Sequence, residues 1–263
     1  MYNLDDFYAI LDRHAPIVLS EKCKQNGDYD NSGILVNQTK TISSVLFTLD
    51  LSIDAVKKAK RLGSDTIVTH HPAIYMPVAK LDCEGETKAL LEAVKLGLNV
   101  ISMHLNLDMA KYGIDYYLAD AFGAKNYKIL EPLTETEGYG REFSVSDKTL
   151  LDVKNLAQKN LKTKRIINYG NKKSEVKKIA TFCGSGSGSV SKLLDENKID
   201  ADLIITSDMP HHVIKKVVEN GKKLILLPHY SAENYGFYKY FTVISKEVLG
   251  GVKTYYFEDK RFM

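Results

Sequence analysis

Asp65-Thr66-Ile67-Val68-Thr69-His70-His71-Pro72 is the stretch that decides how the rest of the chain is read. Its β-branched run predicts a buried strand, and Pro72 stops it. Two imidazoles therefore stand at a strand's carboxyl end, where open α/β sheets place their ligands. In a regular strand, neighbouring side chains point to opposite faces. The pair carries chemistry only if other ligand-type residues arrive at equivalent strand ends, and they do.

On the amino-terminal side, Val45-Leu46-Phe47-Thr48-Leu49-Asp50 reads as a strand. Ser52 then caps a helix over 53–62, whose apolar face is Ile53, Val56, Ala59 and Leu62, and Gly63 ends it. Before these, Asn3 caps a helix over 3–13, a polar segment follows, and Asp30-Asn31-Ser32-Gly33 turns into a strand ending at Val36. Beyond Pro72 come a loop rich in Pro and Tyr (72–82) and a helix over 86–96 ended by Gly97. The next strand, 99–104, finishes in His104-Leu105-Asn106-Leu107-Asp108, and a helix at 114–122 closes this half. Such β-α-β-α-β order predicts a parallel sheet with right-handed crossovers.

Residues 124–140 read as a loop. A strand at 142–146, a helix at 149–160 capped by Asp147 and a strand at 164–169 form a middle segment. The second half then repeats the first: a strand at 178–183, a helix at 189–197, a strand at 202–206, a helix opened by Pro210, and a strand at 224–227. Aligned, the stretch 65–71 corresponds to 202–208, and 103–108 to Leu227-Pro228-His229-Tyr230-Ser231-Ala232-Glu233. The expectation is an α/β fold of two similar lobes, a diverged duplication with mostly parallel sheets, divided as residues 1–125 and 126–263.

Composition bounds the function. With 44% apolar and 26% charged residues the chain can bury a substantial core. A net charge of +3 spread along 263 residues gives no case for a nucleic-acid or membrane surface. Cys23, Cys83 and Cys183 are far apart and odd in number, against a disulfide framework or thiolate zinc site and in keeping with a reducing compartment. No apolar run approaches a membrane span, and the acidic start Met1-Tyr2-Asn3-Leu4-Asp5-Asp6 carries no secretory pattern. A cytoplasmic protein is expected.

His70, His71, Asp108, His229 and Glu233 make a nitrogen-and-oxygen ligand set without sulfur, which suits Zn, Fe, Mn or Co. Five ligands exceed what one tetrahedral site with an open position needs. Two divalent ions sharing bridging carboxylates account for all five; spaced about 3.5–4 Å apart, they would lower the pKa of a shared water and stabilise a developing oxyanion. The spacing of His229 and Glu233 puts both on one face of a helical turn. His104, Asp208, His211 and His212 stand at neighbouring strand ends. They read either as groups that orient ligands or transfer a proton, or as structural residues, with Asp208 capping a helix and His211 simply exposed. Gly184-Ser185-Gly186-Ser187-Gly188-Ser189, between a strand and a helix, reads as an anion cradle or as a tight turn; it fits neither nucleotide-loop pattern.

Taken together, Asp30-Asn31-Ser32-Gly33-Ile34, Thr69-His70-His71-Pro72, His104-Leu105-Asn106-Leu107-Asp108, Gly184-Ser185-Gly186-Ser187-Gly188, Thr206-Ser207-Asp208-Met209-Pro210-His211-His212 and His229-Tyr230-Ser231-Ala232-Glu233 resemble the Nif-three-like family, also called GTP cyclohydrolase 1 type 2 homologs. The pieces occur in the family's order across nearly the whole chain. The resemblance implies a two-lobed α/β fold and a dinuclear metal centre in subunits that form a toroidal homohexamer. It carries the metal ligands onto His70, His71, Asp108, His229 and Glu233, with Asp108 and Glu233 as bridges, and it places His104 and His212 in the same cavity as catalytic candidates. Leu105, Ser207 and Pro228 depart from the family's usual residues, and the segment 140–170 is too short for the domain inserted in longer members.

Two functions follow as expectations. One is a metal-dependent hydrolase acting on a small nucleotide- or phosphate-bearing substrate, GTP cyclohydrolase-like by the family's label. The other is a non-catalytic metal-binding ring that stores or delivers metal or scaffolds partners.

Overall fold

The computed structural model describes residues 2–263. The chain forms two compact units: Met1–Ala110 with Phe237–Asp259, and Lys111–Gly236 with Lys260–Met263. The repeat in the sequence divides the chain once, at 125; these units are instead discontinuous, because the chain returns to the first unit at Phe237.

In the first unit β1 (Tyr2–Asn3), α1 (Leu4–His14), α2 (Ile17–Gln25), β2 (Gly33–Val36) and β3 (Thr41–Ile42) precede β4 (Ser44–Thr48), α3 (Ile53–Leu62), β5 (Thr66–Thr69), α4 (Lys88–Lys95), β6 (Asn99–Ser102) and the single turn α5 (Leu105–Met109). The second unit holds α6 (Ile114–Ala121), β7 (Lys128–Pro132), β8 (Gly138–Thr149), α7 (Leu150–Asn160), β9 (Ile167–Tyr169), β10 (Glu175–Thr181), α8 (Ser187–Asp195), β11 (Leu203–Thr206), α9 (His211–Glu219) and β12 (Lys223–Leu226). Helix α10 (His229–Glu247) begins in the second unit and runs on into the first, where β13 (Lys253–Phe257) follows it.

The first unit's main sheet has the order β13-β4-β5-β6-β2, parallel except for its β2 edge. The second has the order β7-β8-β10-β11-β12-β9, with a parallel centre of β10, β11 and β12 and antiparallel strands around it. Each unit thus contains the same β-α-β-α-β core, and the apolar faces of its crossover helices fill it. Leu46, Val56, Ile67, Leu90 and Val100 pack together in the first unit, and Ala180, Val190, Ile204, Val213 and Leu224 in the second.

One hydrogen-bond pattern recurs at the aligned aspartates. Asp65 Oδ2 accepts the backbone N–H groups of Ser43 and Ser44 at 2.7 and 3.2 Å, and Asp202 Oδ2 accepts those of Lys177 and Lys178 at 2.9 and 3.1 Å. The main chain of each aspartate bridges both neighbouring strands as well, to Ser44 and Asn99 in one unit and to Lys178 and Lys223 in the other. Both repeats therefore close the strand-entry end of their sheet with the same residue in the same role.

Local chemistry explains most boundaries. The Ser52 side chain accepts the Ala55 N–H at 3.2 Å, and Gly63 takes the left-handed conformation that ends α3. Two expectations are corrected. The segment 124–140 contains β7 and the start of β8, a hairpin hidden in the sequence because β7 buries only Leu130 and ends on Pro132, as edge strands can. The cap of α7 is Thr149 rather than Asp147. Thr149 is extended and forms a reciprocal capping box with Asp152, whereas Asp147 has φ +52°, which an N-cap does not adopt. Helix α2, the length of α10 and strand β13 have no counterpart in the sequence reading. No helix among the described residues is long and apolar enough to cross a membrane.

Candidate metal centre

In the first unit the ligand-type residues follow directly from the ends of β5 and β6. The ladder of β5 stops at Thr69, and the N–H groups of both His70 and His71 then turn onto one acceptor, Leu49 O, at 3.1 and 3.0 Å. The Thr69 hydroxyl donates to His71 O at 2.8 Å. This departure from strand geometry cancels the alternation that would send the two rings to opposite faces; their centroids are 4.8 Å apart. His104 follows β6 and opens α5, and its ring lies 5.2 Å from that of His70 and 5.8 Å from that of His71. One nitrogen from each of the three rings lies within 4.8 Å of the others, a group able to hold a metal ion. Asp108, one turn along α5 from His104, brings Oδ1 to 3.5 Å from His70 Nε2.

What orients the rings is the more telling feature. His70 Nδ1 donates to Met103 O at 2.8 Å, His71 Nδ1 to Asp50 Oδ1 at 2.6 Å, and His104 Nδ1 to Asp30 Oδ1 at 2.7 Å. Each bond fixes the tautomer in which Nε2 keeps its lone pair, the arrangement that metal-ligating histidines use. Asp30 is itself buried and also accepts from the Ser20 and Ser32 hydroxyls. Burial alone would raise its carboxyl pKa, but the bonds from His104, Ser20 and Ser32 outweigh that and hold it below the usual carboxylate range. A charged Asp30 is thus maintained behind His104.

The second unit carries the same device. His229 opens α10 and its Nδ1 donates to Asp208 Oδ2, while Nε2 lies 2.9 Å from Glu233 Oε1 one turn further along the helix. Asp208 sits at φ +41°, a left-handed backbone position that non-glycine residues seldom adopt and that clusters at functional sites. It does not cap α9, whose N-cap position is held by Pro210 with no side-chain hydrogen bond. Its side chain instead holds the His229 ring.

The Gly-Ser run contributes clearance. Gly184 is left-handed at φ +55°, and a Cβ there would lie 2.5 Å from Glu233 Oε1 and 3.6 Å from the His229 ring. The residues that depart from the family pattern keep the local geometry closed: Ser207 N–H bonds to Gly184 O at 3.1 Å, and Pro228 O accepts from Ala232 N–H at 3.0 Å in the first turn of α10. His211 and His212 are both exposed on the first turn of α9. His212 lines a shallow hollow with Ser187, Lys192 and Asp195.

The sequence reading missed Asp50 and Asp30 as anchors. A signal for both was present, since Asp50 follows β4 of the parallel core and Asp30 precedes the edge strand β2. Tyr75, in the loop after Pro72, was also missed; its ring stands edge-on to His104 at 6.0 Å and to Tyr29 at 5.1 Å.

Comparison with known proteins bears on family and fold. The family described as "Duf34/NIF3 (NGG1p interacting factor 3)" matches residues 2–260. A Clostridium perfringens protein named "GTP cyclohydrolase 1 type 2 homolog" is 29% identical over 235 residues, 88% of this chain and 86% of that one. Proteins of the same name from Staphylococcus aureus match over 126 residues at 33% identity, 48% of this chain and only 33% of theirs. Among solved structures, a Bacillus cereus protein related to NIF3 superposes with a TM-score of 0.86 at 17% identity, covering 98% of this chain and 97% of that one. A Staphylococcus aureus hypothetical protein gives 0.84 at 23%, covering 98% and 96%. At such identities the structural likeness shows the fold.

Proposed function

The chain belongs to the Duf34/NIF3 family, and from that premise we propose that it binds two divalent metal ions and uses them to hydrolyse a small nucleotide- or phosphate-bearing molecule. The observation that carries the reading is the shared tethering of His70, His71, His104 and His229. Each donates Nδ1–H to an oxygen and leaves the Nε2 lone pair available, to a metal ion in His70, His71 and His229 and to a proton in His104. Structural histidines have no need for four such tethers at strand ends.

The residues that would hold the ions are His70, His71 and Asp108 of the first unit and His229 and Glu233 of the second. The nitrogen-and-oxygen donor set fits Zn, Fe, Mn or Co. When bound, such a pair of ions supplies an acidified water and a counter-charge for a developing oxyanion. The chain's own part is to hold the rings in one tautomer and to keep Asp30 charged behind His104. In this reading His104 is the proton carrier at the edge of the centre, its Nε2 able to give or take a proton while Asp30 steadies Nδ1. His212, exposed on α9, is the second candidate for contact with substrate.

The test is turnover by the metal-loaded protein on a panel of nucleotides, including GTP, and phosphoesters. Hydrolysis that Asp108→Ala abolishes together with bound metal supports the proposal. Metal bound at full stoichiometry with no hydrolysis across the panel sinks the catalytic part and leaves a metal-binding protein.

A further inference from the structure

Away from the ligand residues, the second unit contains an ionic pair with no solvent contact. Arg141 and Asp115 are both fully buried. Arg141 Nη1 bonds to Asp115 Oδ2 and, at 2.9 Å, to Gly138 O, while Nε and Nη2 make no hydrogen bond among the described residues. The Tyr127 ring faces the guanidinium at 5.4 Å. Removing two charges from water is costly, and a pair that leaves donors unfilled recovers less than well-packed apolar side chains do. Stability alone is a poor explanation for this pair.

The other oxygen of Asp115 offers a better one. Asp115 Oδ1 accepts the Cys183 N–H at 3.0 Å, and the Tyr139 hydroxyl donates to Cys183 O. Cys183 is tied from two sides, and the next residue is Gly184, whose left-handed turn leaves the space that Glu233 Oε1 occupies. Ile114, the residue before Asp115, meets the helix that carries Glu233. A Cβ on Gly236 would lie 2.8 Å from Ile114 Cα, and Gly236 is three residues beyond Glu233 on α10. The first turn of α6 therefore touches both the turn and the helix that set the Glu233 carboxylate.

We propose that Asp115, held in place by Arg141, is a positioning residue for metal binding, bracing the Cys183-Gly184 turn so that Glu233 and His229 keep ligand geometry. The proposal rests on the reading of Glu233 and His229 as ligands. Residues that orient metal ligands typically alter affinity 10–100-fold when changed, and coordination tolerates only about 0.2 Å of error. The brace predicts an effect on affinity separable from any effect on folding.

The experiment is Zn2+ titration of the full chain, with the Co2+ absorption spectrum as a readout of ligand geometry. In Asp115→Ala/Arg141→Met the buried charge and its partner leave together, so the thermal midpoint should stay near that of the wild type. Zn2+ should nevertheless bind about 10-fold or more weakly at one of its sites, with an altered Co2+ spectrum. Asp115→Asn/Arg141→Met keeps an acceptor for the Cys183 N–H and should restore most of the affinity. Wild-type affinity and spectrum in the Ala/Met variant overturn the proposal while leaving the ligand assignment standing. Wild-type Zn2+ binding by Glu233→Gln overturns the ligand assignment, and the proposal with it. Should the Ala/Met variant fail to fold, Asp115→Leu/Arg141→Met decides, because it removes the acceptor for the Cys183 N–H while filling the space with apolar atoms. Weakened Zn2+ binding supports the brace; wild-type binding overturns it.

Discussion

Gly184→Ala is the sharpest perturbation of the second-unit ligands. The added Cβ would stand 2.5 Å from Glu233 Oε1, where ordinary contact begins near 3.4 Å, so the oxygen must retreat by about 0.9 Å. That oxygen now lies 2.9 Å from His229 Nε2, and Glu233 is nearly fully buried, so it has little room to move. The left-handed backbone at φ +55° adds roughly 1–2 kcal/mol for a residue with a Cβ. We expect a thermal midpoint lower by about 2–8 °C and metal affinity lower by about 10–100-fold. Gly188 is the control. It belongs to the same Gly-Ser run, but a Cβ there meets nothing within 4 Å and the residue lies in α8. Gly188→Ala should leave metal binding unchanged and stabilise the helix by about 0.5–1 kcal/mol. Calorimetric metal titration and thermal melts of the two variants make the comparison. Wild-type affinity in Gly184→Ala, or equal losses in both variants, would refute the clearance argument.

Other expectations follow from the same geometry. Asp115→Ala alone leaves the Arg141 charge buried without its partner and should cost about 3–5 kcal/mol, read from denaturant unfolding. Asp30 has a depressed folded-state pKa, so its contribution to stability is present above the unfolded value of about 3.9 and is lost as pH falls through the folded value. Asp30→Asn should therefore flatten the decline of stability on the acid side, and an unchanged acid limb would contradict the assignment. Cys23 is pushed up to about 12 by burial and then by the charges of Asp28, Asp30 and Asp108, and Cys183 is buried, whereas Cys83 is exposed. A thiol reagent should find one fast-reacting cysteine in the native chain and three after unfolding. His104→Gln should retain most of the bound metal while lowering turnover by about 10²–10⁴-fold on any substrate the panel reveals.

Much of this architecture is visible in the residue pattern because the parallel cores are locally consistent. Ile53, Val56, Ala59 and Leu62 mark the buried stripe of α3, and Ser52 and Gly63 its ends. The alignment of Asp65 with Asp202 anticipates a shared hydrogen-bond role that only coordinates display. What stayed hidden depends on distant partners. Strand β13 exists because Lys253–Phe257 pairs with Ser44–Thr48, some two hundred residues earlier, and its own sequence of Lys, Thr, Tyr and Phe is half-buried rather than clearly alternating. Helix α10 is obscured because a 19-residue helix rich in Tyr and Phe, with Gly236 inside it, carries no single apolar stripe.

The candidate site divides the same way. Histidines and carboxylates at strand ends can be read from spacing, since the strands themselves can. The anchors Asp50, Asp30 and Asp208 and the Met103 carbonyl could not be matched to particular rings, because each depends on how a loop turns after its strand. The Gly-Ser run shows the limit most clearly. Its composition fits an anion cradle or a turn equally well, and only the distance from Gly184 to Glu233 assigns it a use.

Metal stoichiometry is the decisive measurement. Elemental analysis of the purified, reconstituted chain should find about two divalent ions per chain, falling to one or none in Asp108→Ala and in His229→Ala. Two ions retained in both variants, or none in the wild type after reconstitution with Zn, Fe, Mn and Co in turn, would contradict the account.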